Sequence, residues 1–175
     1  MLAIGFDATC SLVVRDAAGK PISISASGNP GLDTILWMDH RAIAETDACN
    51  AIADPLLDRF GGRLSVEMQI PKLLWLKTHR PDIWASCGQI FDLCDYLTWR
   101  ASGSEKRSHS ALASKWGYTP EAPGEPPLEY YRKIGLGDVM ERAGLPSRSE
   151  PPALAIGHLS AEAAVELGLD RDTLV

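Results

Sequence analysis

The sequence predicts a mixed α/β domain, with strands near its start and mainly helices after them. Alternation of apolar and polar residues, interrupted by turn residues, is confined to the early part of the chain. Apolar residues recur at helical spacing over most of the rest, and no fixed period indicates repeats. The 175 residues, 45% of them hydrophobic, suffice for one core but not for two. We therefore expect one domain, or part of one, over residues 1–175.

Five segments have the pattern of β-strands. Leu2–Phe6, Ser11–Arg15 and Pro21–Ser25 are separated by turn residues and predict a small antiparallel meander. Thr34–Trp37 predicts a short buried strand, and Gln89–Asp92 predicts a brief strand later in the chain.

The remaining regular structure is predicted to be helical. Pro55 should kink or split the first helix, Pro81 should end the second, and Gly103 is a stop signal for the third. Ser160 is a capping residue at the start of the last helix. No helix is predicted between residues 104 and 127. The predicted helices are Ala42–Phe60, Pro71–Lys77, Leu93–Ala101, Leu128–Ile134, Val139–Ala143 and Ser160–Leu167.

Charge and composition exclude several classes of partner. The formal net charge of -6 argues against nucleic acid, whose binding needs clustered Lys and Arg. No apolar run approaches the roughly 20 residues that span a bilayer, so we expect no membrane partner and a cytoplasmic location. The four cysteines form no CxxC pair, so we expect neither a metal site nor disulfides. A small-molecule partner is the expectation that remains.

Four blocks of sequence, in order along the chain, carry a resemblance to a known family. The third and fourth are rich in apolar residues at helical spacing, and two shorter motifs follow them. The blocks are GFDATCSLVVRD (5–16), WMDHRA (37–42), PKLLWLK (71–77) and FDLCDYLTWR (91–100), followed by SKW (114–116) and GHLSAEAA (157–164). Together they resemble the FGGY carbohydrate kinases, and most closely the ribulokinase-like pentulose kinases.

The resemblance implies an actin-like, ribonuclease-H-like α/β fold of two domains with a cleft between them. Residues 1–175 would form an incomplete first, sugar-binding domain, and the second, ATP-binding domain would be absent. The full-length enzyme would phosphorylate a pentulose, with ribulose favoured. ATP and Mg²⁺ would be bound mainly by the second domain, and the catalytic aspartate would lie outside this chain. We therefore expect no catalytic residue, and no turnover, in residues 1–175 alone.

The first block also resembles a second element of the same fold, the opening hairpin that binds phosphate. That hairpin needs a glycine at the position of Ala8, because a side chain there hinders close approach of backbone N–H groups to phosphate. Trp37 follows too soon after this block to suit the opening hairpin. These two departures favour matching the block to the second hairpin of the same fold, which lies near the sugar.

The resemblance implies a sugar site built from an aromatic platform and several hydrogen-bonding groups. Buried sugar hydroxyls need matched partners, because each unmatched polar group costs about 1–3 kcal/mol. Trp37 matches a tryptophan that packs on substrate, and Lys115 matches a lysine that donates to the ketose. The predicted substrate-binding residues are Thr9, Cys10, Trp37, Asp39, Arg41, Glu67 and Lys115.

Each of these residues also has a structural interpretation. Trp37 fits a core residue, and Asp39 with Arg41 fits an internal salt bridge that caps the next helix. Glu67 and Lys115 fit exposed surface residues.

Two further alternatives stay open at the level of the whole protein. One is a non-catalytic, truncated sugar-binding or interaction remnant of the same fold. The other is a different acceptor, such as xylulose, an aldonate-derived ketose or glycerol. Thr9-Cys10 stands where glycerol kinases carry an Arg-Glu pair, which weighs against glycerol. In either case an incomplete domain would expose a sheet edge and apolar surface, which favours aggregation or a homodimer.

Overall fold

A computed structural model describes residues 2–175 and confirms the mixed α/β class. A small sheet lies early in the chain, and short helices make up most of the remainder. The strands are β1 (Leu12–Arg15), β2 (Thr34–Ile35) and β3 (Gln89–Asp92), and a 3₁₀ helix covers Pro55–Phe60. The α-helices are α1 (Ile43–Asn50), α2 (Gln69–His79), α3 (Pro81–Ser86), α4 (Leu93–Ser102), α5 (His109–Lys115), α6 (Leu128–Lys133), α7 (Val139–Arg142) and α8 (Ala161–Leu167).

The sheet has the order β2-β1-β3, and both pairings are antiparallel. Leu12 lies opposite Ile35 on one side and opposite Asp92 on the other. All four side chains of β1 are buried, which suits a central strand rich in β-branched residues. Burial includes Arg15, which bonds Asp33 at 2.6 Å and the Tyr96 hydroxyl at 2.8 Å.

Two apolar clusters pack against this framework. The larger joins β1 and β3 to α2, α3 and the aromatic residues that follow α5. The smaller lies between α4 and α8 and includes Ala101, Leu159 and Ala163, with Ile4 and Phe6 packed against it. None of the helices within residues 2–175 has the length and apolar character needed to cross a bilayer.

The predicted meander is wrong at two of its three strands. Ala3 forms an isolated parallel bridge with Leu174, so the Leu2–Phe6 segment does not pair with β1. In the Pro21–Ser25 segment only Pro21 makes a bridge, to Arg15. Both outcomes depend on pairing partners that local alternation does not specify.

The helix predictions are largely confirmed, with differences at prolines. The Ala42–Phe60 helix is split into α1 and the 3₁₀ helix, because Pro55 begins a new turn behind the capping Asp54. Pro81 ends α2 but also starts α3, which was not predicted. Gly103 adopts φ 76° after α4, and the Ser160 hydroxyl accepts from the Ala163 N–H at the start of α8. Helix α5 was missed because its serine-rich sequence indicates a loop.

The turn after β1 approaches the backbone before β3 so closely that only glycine fits. A Cβ at Gly88 would lie 2.4 Å from the Ala17 Cα, and the Gly88 N–H donates to the Arg15 carbonyl at 3.0 Å. The contact is with backbone, so no side-chain rotation can relieve it.

We expect Gly88→Ala to destabilise the protein by about 1–3 kcal/mol, because the sheet edge must shift to admit the methyl group. Urea unfolding followed by circular dichroism measures the change. Gly5→Ala is the matched control, since no atom lies within 4 Å of a Cβ there. Equal stability of the two variants would contradict the packing argument.

Candidate functional site

The loop that follows β2 carries Trp37 on the surface of the protein. Trp37 is 38% exposed, which excludes the interpretation that it is a core residue. Its backbone is held, because the Trp37 N–H donates to the Ser11 Oγ at 3.1 Å. The Lys72 Nζ donates to the carbonyls of Leu36 and Trp37 at 2.9 and 2.7 Å. An exposed indole on a fixed backbone suits contact with a ligand.

Asp39 and Arg41 pair with each other in the same loop. The Arg41 Nη2 lies 2.6 Å from Asp39 Oδ2, and the Arg41 N–H donates to Asp39 Oδ1 at 2.9 Å. These hydrogen bonds lower the pKa of Asp39. The guanidinium also lies 4.8 Å from the centre of the Trp75 ring. The internal salt bridge is therefore present, but the predicted helix cap is not, because Ala42 occupies that position before α1 without a side-chain bond.

Thr9 and Cys10 form a tight turn that leads into β1. The Ser11 N–H donates to the Thr9 carbonyl at 2.7 Å, and the Cys10 carbonyl accepts from Gln69 Nε2 at 2.8 Å. Thr9 is exposed and Cys10 is half-buried.

Burial, followed by the nearby Asp92 carboxylate, raises the pKa of the Cys10 thiol. The positive charges of Lys115 and Lys72 oppose the rise. Cys10 is thus a protonated, weakly polar group with two ammonium groups in its surroundings.

Glu67 and Lys115 reach the same region from two further segments. Glu67 lies just before α2, with its Oε1 3.3 Å from the Nε2 of His40. Lys115 ends α5 and is half-buried beside the fully buried Trp116. Within residues 2–175 the Lys115 ammonium has neither a hydrogen-bond nor an ion-pair partner. A half-buried cation of this kind is available to a ligand.

A buried polar cluster lies beneath these groups. Asp92 is 1% exposed and accepts hydrogen bonds from Gln69 Nε2 and from Trp116 Nε1. Burial raises the pKa of Asp92 to about 6 although both hydrogen bonds oppose the rise. The cluster connects the Cys10 turn, the start of α2 and the end of α5.

Sequence analysis missed the contribution of Gln69 and Lys72. Both are fully buried near the start of α2, where Ile70 and Leu73 are equally buried. The available signal was a polar residue at a core position of an apolar helix, which indicates a specific partner elsewhere. The sequence does not identify that partner.

Four segments therefore converge on one face: the Thr9-Cys10 turn, the Trp37 loop, the start of α2 and the end of α5. The face carries the exposed indole of Trp37 and the unpaired ammonium group of Lys115. The carboxylates of Asp39 and Glu67 lie at its edge. A separate cavity of about 470 Å³ is lined by residues 3–6, 106–108 and 150–156, and by none of the seven predicted site residues. Among residues 2–175, no three His, Cys, Asp or Glu side chains are grouped so as to hold a metal ion. Ala8 carries a side chain at the position where a phosphate-binding hairpin needs glycine.

Comparison with known sequences identifies relatives over nearly the whole chain. No protein-family model matches it. The chain is 42% identical over 170 residues to an FGGY carbohydrate kinase domain-containing protein of Xenopus laevis, a match that covers 95% of this chain and 30% of the relative. The human protein of the same name is 39% identical with the same coverage. A D-ribulokinase of Saccharomyces cerevisiae is 39% identical over 187 residues, or 98% of this chain and 26% of that protein.

Solved structures share the fold at low sequence identity. A xylulose kinase from Rhodospirillum rubrum superposes with a TM-score of 0.74 and 20% identity, over 94% of this chain and 31% of that one. A gluconate kinase from Lactobacillus acidophilus gives 0.73 and 19%, over 99% and 33%. The chain spans about a third of the length of the relatives it matches.

The raised pKa of Asp92 has a consequence for stability. Its native pKa is about 6, against 3.8 for an ordinary aspartate, so the native state binds this proton more tightly than the unfolded state. The resulting contribution to stability is complete below about pH 4 and is lost as the pH rises to about 6.

We therefore expect the stability of the unmodified protein, relative to Asp92→Asn, to fall by roughly 2 kcal/mol between pH 4 and pH 7. The variant keeps a polar side chain at this position but has no proton to lose. Urea unfolding at a series of pH values measures the difference, with the exposed Asp47→Asn as control. A difference that does not change with pH would contradict the raised pKa.

Proposed function

We propose that this chain, which corresponds to about one third of the length of an FGGY carbohydrate kinase, supplies part of the sugar site of an ATP-dependent pentulose kinase. The resemblance predicted from the four sequence blocks is confirmed by the identities of 39% and 42%, and the actin-like fold class by the structural superpositions. The activity, the acceptor and the site residues are the parts we propose.

The observation that carries the proposal is the identity of 39–42% over at least 95% of this chain. Ribulose is the favoured acceptor because the yeast relative is a D-ribulokinase. Xylulose is the first competitor, since a structural neighbour is a xylulose kinase. Thr9-Cys10 in place of an Arg-Glu pair weighs against glycerol.

The converging face supports a binding role for the seven residues. The exposed Trp37 ring offers an apolar platform for the C–H face of a sugar, and the unpaired Lys115 ammonium offers donors for a ketose oxygen. Asp39 and Arg41 remain partly exposed while paired, so their outer polar atoms are available to hydroxyl groups. Thr9, Cys10 and Glu67 would complete the rim.

The proposed role of these residues in catalysis is to position the acceptor. The reaction of the whole enzyme is transfer of the γ-phosphoryl group of ATP to a sugar hydroxyl, and ATP with Mg²⁺ supplies the phosphoryl group and its charge neutralisation. We propose that ATP and Mg²⁺ are bound mainly by the second domain of such an enzyme, in polypeptide other than residues 2–175. Holding a hydroxyl in the reactive orientation is a substantial part of such catalysis.

We expect D-ribulose or another pentulose to raise the melting temperature of the purified chain. Binding at a tenfold excess over Kd stabilises the native state by about 1.4 kcal/mol, or about 3–5 °C for a protein of this size. Thermal unfolding with D-ribulose, L-ribulose, D-xylulose and glycerol makes the comparison. Lys115→Ala should abolish the shift.

The control is Lys20→Ala, which removes an exposed lysine in the turn after β1 that is not one of the seven residues. It should retain the full shift. A cooperative melt whose midpoint no pentulose raises would contradict the proposed sugar site and favour a non-functional fragment of the same fold.

We also expect no ATP-dependent phosphorylation of any pentulose by the 175-residue chain alone. A coupled assay of ADP release with MgATP and each sugar tests this, with a complete pentulose kinase as positive control. Turnover above background would mean that this chain contains the nucleotide site, and would overturn the assignment of that site to other polypeptide.

A further inference from the structure

Two fully buried polar side chains project from the first turn of α2. Gln69 and Lys72 are each 0% exposed, in a helix whose other buried positions are mainly apolar. Burying a polar group or a charge costs free energy unless partners compensate it. The partners that these side chains have found are therefore informative.

The ammonium group of Lys72 donates hydrogen bonds to backbone carbonyls of the Trp37 loop. Its Nζ bonds the carbonyls of Leu36 at 2.9 Å and of Trp37 at 2.7 Å. Within residues 2–175 no carboxylate lies within 4.0 Å of it, and burial lowers its pKa. Lys72 therefore contacts the Trp37 loop through the backbone of that loop.

Gln69 holds the other side of the site. Its Nε2 donates to the Cys10 carbonyl at 2.8 Å and also to Asp92 Oδ1. Asp92 in turn accepts from the indole N–H of Trp116, the residue next to Lys115. One amide group thus connects the Cys10 turn with the end of α5.

We propose that Gln69 and Lys72 are positioning residues of the sugar site, which hold the Cys10 turn and the Trp37 loop by their backbones without touching the sugar. The inference rests on the proposed function. Lys72 fixes the height of the Trp37 indole above α2, and Gln69 fixes the Cys10 turn relative to Lys115. Three groups that would contact one ligand then depend on a single helical turn. A displacement of about 1 Å at such a site can cost about 100-fold in activity.

A purely structural role predicts a different response to substitution. Removing one hydrogen-bonding partner costs stability when the groups that it bonded stay buried and unpaired, and costs little when water can replace it. The two carbonyls that Lys72 releases lie in a loop with exposed side chains, where water can reach them. Lys72→Met should therefore leave the melting temperature nearly unchanged while it loosens the loop.

The test measures hydrogen exchange of backbone amides, by mass spectrometry, in the 175-residue chain without ligand. Lys72→Met should speed exchange in peptides that cover residues 36–41 by about tenfold, which corresponds to about 1.4 kcal/mol of local opening. Gln69→Leu should do the same for residues 9–11. Exchange in α4 should not change in either variant.

Lys77→Met is the matched control in the same helix. Lys77 also bonds a loop carbonyl, that of Gly135 at 2.8 Å, but on a loop remote from the sugar site. Lys77→Met should leave the backbone amides of residues 36–41 as protected from hydrogen exchange as they are in the unmodified chain. Lys72→Met and Gln69→Leu remove separate contacts. If one of these variants does not fold, the other still tests the proposal.

Affinity for the pentulose that binds the unmodified chain provides the second readout. Each positioning variant should weaken Kd by about tenfold or more at a temperature where the fold is intact, whereas Lys77→Met should not. Unchanged loop exchange, unchanged affinity, or exchange that rises uniformly over the whole chain would each overturn the inference. Absence of sugar binding in the unmodified chain overturns the proposed function instead, and exchange alone then decides whether the two side chains hold these segments.

Discussion

The buried carboxylate of Asp92 is the point on which the described structure depends. It ends β3 opposite Leu12 of the central strand and immediately precedes α4. Its two oxygens accept from Gln69 in α2 and from Trp116 after α5. One side chain therefore joins the sheet to α2 and to the residue that follows α5, neither of which is adjacent to it in sequence. The raised pKa reflects the desolvation that this position imposes, which the two hydrogen bonds only partly offset.

The elements that the sequence predicted well are those with local signals. Helix α4 ends at Gly103 in the left-handed conformation, and α8 begins at the capping Ser160. The first predicted strand failed for the opposite reason, since Ala3 pairs with Leu174 at the far end of the chain. Helix α5 was not predicted, because the helix depends on tertiary packing of Leu112 and not on the helix propensity of the serines around it.

The candidate site divides in the same way. Resemblance to a family predicted site residues such as Trp37 and Lys115, whose chemistry is visible in a motif. It did not identify Lys72 as a holder of the Trp37 loop, because that role exists only once a helix and a loop 35 residues apart in sequence are brought together. Side chains that bind backbone leave little trace in a motif, since any loop sequence offers the same carbonyl groups.

The apolar side chains of the loop after β2 have a thermodynamic consequence. Leu36, Trp37 and Met38 are 55%, 38% and 57% exposed, although Lys72 fixes the backbone of the first two. Any partner that covers them removes apolar surface from water without first ordering the chain. Association at this face should accordingly carry a negative change in heat capacity with little entropic cost from the loop backbone.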